Sequence, residues 1–91
     1  MNVQKLQNKI PAIKTFDFVG NELVEVEKMP LSYIRDNQLY ISAENGDNAA
    51  NYYGGQYGND PYINPVLEAF AEKNKGYFEW VNPAEIVFIK N

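Results

Sequence analysis

The chain contains neither cysteine nor histidine among its 91 residues. Without cysteine it can form no disulfide, thiolate nucleophile or zinc site of the cysteine type. Without histidine it lacks the side chain that most often relays protons or binds metals. Hydrolysis or group transfer would have to depend on Asp, Glu, Tyr, Lys or Ser32. We therefore expect a protein that is not an enzyme, with no catalytic residue, no cofactor and no bound metal.

Long apolar segments are also missing. No run approaches the ~18 residues of a membrane span, and residues 1–10 lack the apolar centre of a signal peptide. We expect a cytoplasmic protein that does not bind membranes. Its net charge is −4 and its eight basic residues are scattered, whereas phosphate contacts need clustered bases. Direct binding to nucleic acid is therefore not expected.

One long segment has no positive charge at all. The 37 residues between Arg35 and Lys73 contain no Lys or Arg, but six acidic residues and five of the seven tyrosines. These features concentrate in residues 44–62, a loop rich in Tyr, Gly and Asn. Tyrosine offers rigid, amphipathic contacts at low entropy cost, so we predict that this loop binds a partner. The candidate residues are Glu44, Asp47, Tyr52, Tyr53, Tyr57, Asp60 and Tyr62.

Three other interpretations of this loop compete with partner binding. The tyrosines could fold back as a lid onto the second sheet face, the one that the helix leaves uncovered, with each hydroxyl at the edge. The glycines at 54–58 resemble a phosphate-binding loop, but no Lys follows them and Asp47 and Asp60 flank them. The Asn and Asp side chains could supply oxygen ligands to Ca²⁺, although their spacing matches no EF-hand.

Patterning of apolar residues predicts a single α+β domain over 1–91, with an antiparallel sheet rich in hairpins. Asn64 and Pro65 are favoured residues for the start of a helix, which we place at about 65–75 and end at Gly76. We also predict a short helix over 2–9 and a helical turn within 47–53. Hairpins are predicted for 12–19 with 22–28, for 31–35 with 38–43, and for 77–81 with 86–90.

The predicted registers decide which faces are apolar. In the first hairpin, with its turn at Gly20-Asn21, Phe18 lies opposite Leu23, and Phe16 shares their face. In the second, with its turn at Asp36-Asn37, Ile34 and Leu39 share one face and Tyr33 lies opposite Tyr40 on the other. In the last hairpin Val81 lies opposite Ile86, and Trp80 lies opposite Val87. This pairing makes one apolar face of Phe78, Trp80, Val87 and Ile89, and a half-apolar face that includes Val81, Ile86 and Phe88. One helix covers one face, so the other needs the tyrosine-rich loop, another layer or another molecule.

Three classes of function fit these features. The first is an acidic binding protein that blocks a basic groove on a protein partner, where complementary charge guides association. The second is a small-ligand module in which tyrosines stack on a sugar or nucleotide. The third is a self-associating structural protein, with a homodimer formed through the Val81, Ile86 and Phe88 face.

Part of the C-terminal half resembles a group of short uncharacterised proteins from phages and mobile elements. The resemblance rests on the runs Ile41–Asp47, Tyr52–Gly54, Tyr62–Glu68 and Tyr77–Pro83. It implies no activity and assigns no site residue. It favours a phage protein, for which the acidic binding protein would be an inhibitor acting in the host cytoplasm on a defence protein or a nucleic-acid-binding protein.

Overall fold

The computed structural model describes residues 2–45, 48–54, 58 and 60–91. The α+β class, the antiparallel pairing and the C-terminal hairpin are confirmed. The elements in chain order are α1 (Val3–Gln7), β1 (Ile13–Val19), β2 (Glu22–Lys28), β3 (Ser32–Arg35), β4 (Gln38–Ser42), β5 (Ala50–Asn51), β6 (Tyr62–Ile63), α2 (Pro65–Lys73), β7 (Gly76–Asn82) and β8 (Glu85–Lys90).

The strands form separate sheets within the described residues. The second and third hairpins join in a four-stranded sheet of order β3-β4-β8-β7, in which β4 pairs with β8. The β1–β2 hairpin forms a two-stranded ribbon of its own, and β5 pairs with β6. The hairpins therefore do not follow one another through a single sheet.

The turn of the second hairpin explains its predicted register. Asp36 and Asn37 have φ values of 52° and 60°, which suit a two-residue turn that matches the twist of antiparallel strands. Ile34 then pairs with Leu39 and Tyr33 with Tyr40, as predicted. The rings of Tyr33 and Tyr40 stack with centroids 5.6 Å apart.

The predicted register of the last hairpin is wrong by one residue. Trp80 pairs with Ile86 and Phe78 with Phe88, because an irregularity between Trp80 and Asn82 leaves Val81 out of the pairing. An extra residue in one strand moves the partner strand's side chains to opposite faces. Ile86 and Phe88 therefore join Phe78 and Trp80 on the core side.

The core lies between that face of the sheet and the two helices. Leu39, Ile41, Leu67 and Ile86 are almost completely buried there, and α1 contributes Val3 and Leu6. The prediction that Ile86 and Phe88 form a dimer seam with Val81 is therefore wrong, because both side chains are internal.

On the second sheet face, the part formed by β3, β4 and β8 is covered by its own side chains, whereas Tyr77 of β7 is exposed. Tyr40 and Val87 are buried there, and the guanidinium carbon of Arg35 lies 4.2 Å from the centre of the Tyr40 ring. Arg35 also donates from Nη2 to Oε1 of Glu85 at 3.0 Å. Glu85 accepts a second bond from Nδ2 of Asn82 at 3.2 Å. The Arg35 guanidinium over the tyrosine rings and its ion pair with Glu85 thus cover this part of the second face.

Helix α2 begins at the predicted residue but ends earlier than expected. Leu67, Phe70 and Ala71 are buried, whereas Val66, predicted for the same apolar stripe, is exposed. Lys75, with φ 61°, takes the left-handed position after the helix, so the helix does not end at Gly76 as predicted. Gly76 begins β7, where a Cβ would collide with the Phe88 ring and the Ile89 carbonyl. That glycine allows close packing of the sheet rather than ending the helix.

Candidate functional site

The predicted binding loop contains a short pair of strands. Ala50 pairs with Ile63 and Asn51 with Tyr62, so the predicted helical turn is wrong over 50–51. Ala49 and Ala50 are buried in the core, and their small side chains let the chain lie close to helix α2. The two ends of the loop are thereby held together at the base of the site.

Asn64 ties this strand pair to helix α2. Its Oδ1 accepts from the Val66 amide at 2.9 Å, as an N-cap side chain does. Its Nδ2 donates to the Asn48 carbonyl at 3.1 Å, and its own amide donates to the Ala49 carbonyl at 2.8 Å. Asn64 is buried, and its bonds hold the chain at Asn48 and Ala49 against the start of helix α2.

A tight turn follows β5 and directs the tyrosines. Oδ1 of Asn51 accepts from the Tyr53 amide at 2.9 Å, an Asx-type bond that favours a turn. The Gly54 amide bonds to the Asn51 carbonyl at 3.1 Å. Gly54 has φ 77° and is crossed by the backbone of Gly58 and Asp60, which leaves no room for a Cβ. Only glycine fits this crossing.

Tyr52, Tyr53 and Trp80 form an aromatic step on the surface. The Tyr52 ring meets Trp80 edge to face, with centroids 5.3 Å apart and planes at 80°. The Tyr53 ring meets Tyr52 in the same way, at 5.5 Å and 87°. This geometry is favourable for aromatic pairs. Trp80 packs against the core, while Tyr53 is 72% exposed, so the step leads from the interior to water.

These contacts decide which sheet face the loop approaches. Trp80 belongs to the core side of the sheet, so Tyr52 extends that side and does not cover the opposite face. Neither ring therefore forms the predicted lid on the second face: Tyr52, 38% exposed, rests on Trp80, and Tyr53 is 72% exposed. Tyr62 is half-buried within β6.

The structure describes only two of the three acidic candidates. Glu44 and Asp60 are exposed, and within the described part of the chain neither forms an ion pair. The Glu44 amide donates to Oγ of Ser42 at 3.1 Å, which fixes the backbone where the loop leaves β4. Asp47 and Tyr57 lie outside the described residues, as do three members of the 54–58 glycine segment.

Two features of the site were missed from the sequence. Trp80 was assigned to the core alone, but its edge also supports Tyr52. An open groove of about 310 Å³ lies between α2 and β7, with Glu68, Glu72, Tyr77 and Phe78 among its lining residues. No signal in the sequence reveals this groove, because it depends on how α2 packs against β7.

Searches for other kinds of site give negative results. No group of three or more acidic side chains that could hold a metal ion occurs among the described residues. Neither helix in the described part of the chain is long and apolar enough to cross a membrane. Comparison with protein-family models, with curated proteins and with solved structures finds no match.

Proposed function

We propose that this chain is a non-catalytic binding protein that recognises a basic surface on another protein through its acidic, tyrosine-rich surface. The surface consists of Tyr52, Tyr53, Glu44 and Asp60. The observation that carries the proposal is the aromatic step, in which an exposed Tyr53 ring rests on Tyr52 and Tyr52 rests on Trp80.

Pre-organisation supports this proposal. An exposed tyrosine on a mobile loop loses side-chain freedom when it binds, and that loss weakens affinity. Here Asn51 and Gly54 set the turn, and Tyr52 already holds one edge of the Tyr53 ring. Much of the ordering therefore precedes binding, which is the situation in which tyrosines contribute most at interfaces.

The charge of the loop favours a basic partner. Glu44 and Asp60 are exposed and form no ion pair in the described residues. No Lys or Arg occurs from residue 36 to residue 72, so no base within the loop competes for these carboxylates. Complementary fields of this kind raise the rate of association and fix the orientation of docking.

A narrower form of the proposal is an inhibitor of phage type. Such a protein would cover the nucleic-acid-binding groove of a host defence protein, with carboxylates in place of phosphates. The support is the resemblance of the C-terminal half to short phage proteins, together with the net charge of −4. Competition with nucleic acid for the captured partner tests this form separately.

The experiment is affinity capture from bacterial lysate with the full chain and single variants, followed by titration of each retained protein. We expect Tyr53→Ala to weaken binding about tenfold or more, as for an interface hot spot, without changing thermal stability. Tyr77→Ala is the matched control, because Tyr77 is another exposed tyrosine on a different element. Glu44→Gln with Asp60→Asn should slow association and flatten its dependence on salt.

The proposal fails if every retained protein binds the Tyr53→Ala and Tyr77→Ala chains equally well. It also fails if a sugar or nucleotide raises the melting temperature in a Tyr53-dependent manner while no protein is retained. That second outcome would establish the small-ligand function.

A further inference from the structure

The β1–β2 ribbon exposes an apolar face that no described element covers. Phe16, Phe18 and Leu23 point to one side of it, and they are 59%, 74% and 58% exposed. Lys14, Glu25 and Glu27 complete the same side and are exposed as well. Of the ribbon's residues only Ile13, at its base, joins the core.

Such a ribbon needs support that its own pairing does not supply. An isolated two-stranded hairpin is only marginally stable in water. The radius of gyration is 13.5 Å, against about 12 Å for a compact domain of this length. The longest dimension is 45 Å. These values fit a ribbon that projects from the rest of the molecule with its aromatic side open.

We infer that this face binds the same face of a second copy of the chain. The argument is that the observed register makes the face complementary to itself. A two-fold axis running along the ribbon, between two facing copies, exchanges β1 with β2. Within one chain Phe18 pairs with Leu23 and Lys14 with Glu27. The axis therefore sets Phe18 of one copy over Leu23 of the other, and Lys14 of one copy over Glu27 of the other.

Two of the three resulting contacts match in chemistry, apolar with apolar and Lys14 with Glu27. Lys14 would change partner, because within one chain its Nζ lies 3.9 Å from Oε1 of Glu25. Phe18 of one copy lies over Leu23 of the other, and this contact occurs twice. Lys14 lies over Glu27, also twice, and Phe16 lies over the aliphatic stem of Glu25. Facing sheets in proteins pack with nearly aligned strands, which this arrangement retains. It is independent of the aromatic step in 44–62, since none of its residues belongs to that surface.

The size of the face predicts a reversible dimer. If each phenylalanine side chain has about 200 Å² of surface, Phe16 and Phe18 together expose about 270 Å² per copy. A stable interface buries about 800 Å² on each partner. The two rings provide about a third of that area, and the surrounding polar side chains add to it. We therefore expect a dissociation constant in the micromolar range.

The first test is sedimentation velocity of the full chain across the micromolar range. We expect a concentration-dependent shift from monomer to dimer. Phe18→Ser should weaken the dimer about tenfold or more, because the symmetry removes two contacts at once. Val19→Ser is the matched control, since Val19 is 64% exposed but lies on the opposite side of the same strand. Circular dichroism checks that both variants remain folded.

The second test separates contacts between chains from contacts within a chain. Lys14→Glu and Glu27→Lys should each weaken self-association, since each places like charges opposite one another across the interface. When the two variant chains are mixed, every such position regains an opposite charge, so we expect a mixed dimer to form. An effect on the stability of either chain cannot produce this rescue.

Three outcomes overturn the inference. One is a chain that stays monomeric at all concentrations, which would mean that the ribbon face does not bind a second copy. Another is a wild-type dimer that Phe18→Ser does not weaken. The third is a failure of the two charge variants to associate on mixing while wild type dimerises, which would place the interface elsewhere. None of these outcomes bears on Tyr53-dependent capture.

Discussion

Replacing Asn64 by alanine tests how the loop and helix α2 are held together. The substitution removes the N-cap bond to the Val66 amide and the bond from Nδ2 to the Asn48 carbonyl. The amide of residue 64 keeps its bond to Ala49, because that bond belongs to the backbone. The variant therefore removes two side-chain bonds and leaves the chain path unchanged.

The magnitude follows from those two bonds. Loss of an N-cap typically costs ~1 kcal/mol, and loss of the second bond costs a further ~1 kcal/mol. The sum of about 2 kcal/mol is a large part of the stability of a small domain. For a domain of this length it lowers the melting temperature by about 10 °C. Asn64→Ser keeps an N-cap hydroxyl but cannot reach Asn48, so we expect about half the loss.

The assay is urea unfolding followed by circular dichroism, with amide hydrogen exchange at Val66. Exchange at Val66 should accelerate in the alanine variant and much less in the serine variant. If the alanine variant loses less than about 0.5 kcal/mol, a typical surface value, the two bonds do not hold the loop. If the serine and alanine variants are equally unstable, the cap contributes nothing.

Three other substitutions give further tests. Gly76→Ala should lower the free energy of unfolding by about 1–3 kcal/mol, because its methyl group collides with the Phe88 ring; no change in urea unfolding would contradict this. Arg35→Gln should cost about 1–2 kcal/mol, less than for a fully buried pair because the arginine side chain is half exposed. Adding Glu85→Gln should recover part of that loss, and strict additivity would show that the pair does not interact. Asn37→Gly should stabilise the chain by about 0.5 kcal/mol, because glycine adopts φ 60° without strain, and thermal unfolding measures the gain.

Local signals in the sequence predicted most elements of the fold. Asn64 with Pro65 marked the start of α2 correctly, and the Asp36-Asn37 turn set the register of its hairpin. In the first hairpin the Gly20-Asn21 turn did the same. Each of these cases depends on residues close together in the chain, where turn and cap chemistry dominate.

The incorrect predictions concern an irregularity within one strand and contacts between distant residues. The irregularity at Val81 shifts β8 by one residue and moves Ile86 into the core, and the Asn-Pro turn that precedes β8 does not reveal it. The pairing of β4 with β8 depends on packing rather than on sequence pattern. Within the candidate site, the sequence left open whether Tyr53 is exposed or packed, and the contact of Tyr52 with Trp80 joins residues too far apart in the chain for local signals to predict.

Trp80 is the single tryptophan in the chain, and this gives its contact with Tyr52 an optical consequence. Indole emission responds to the polarity of its surroundings, and one edge of this indole is covered by a loop tyrosine. Light emitted by the unlabelled protein therefore reports whether the loop is seated on the sheet. A ligand that moves Tyr52 away from Trp80 or closer to it would change the wavelength and intensity of that emission. Intrinsic tryptophan fluorescence therefore monitors the position of the loop.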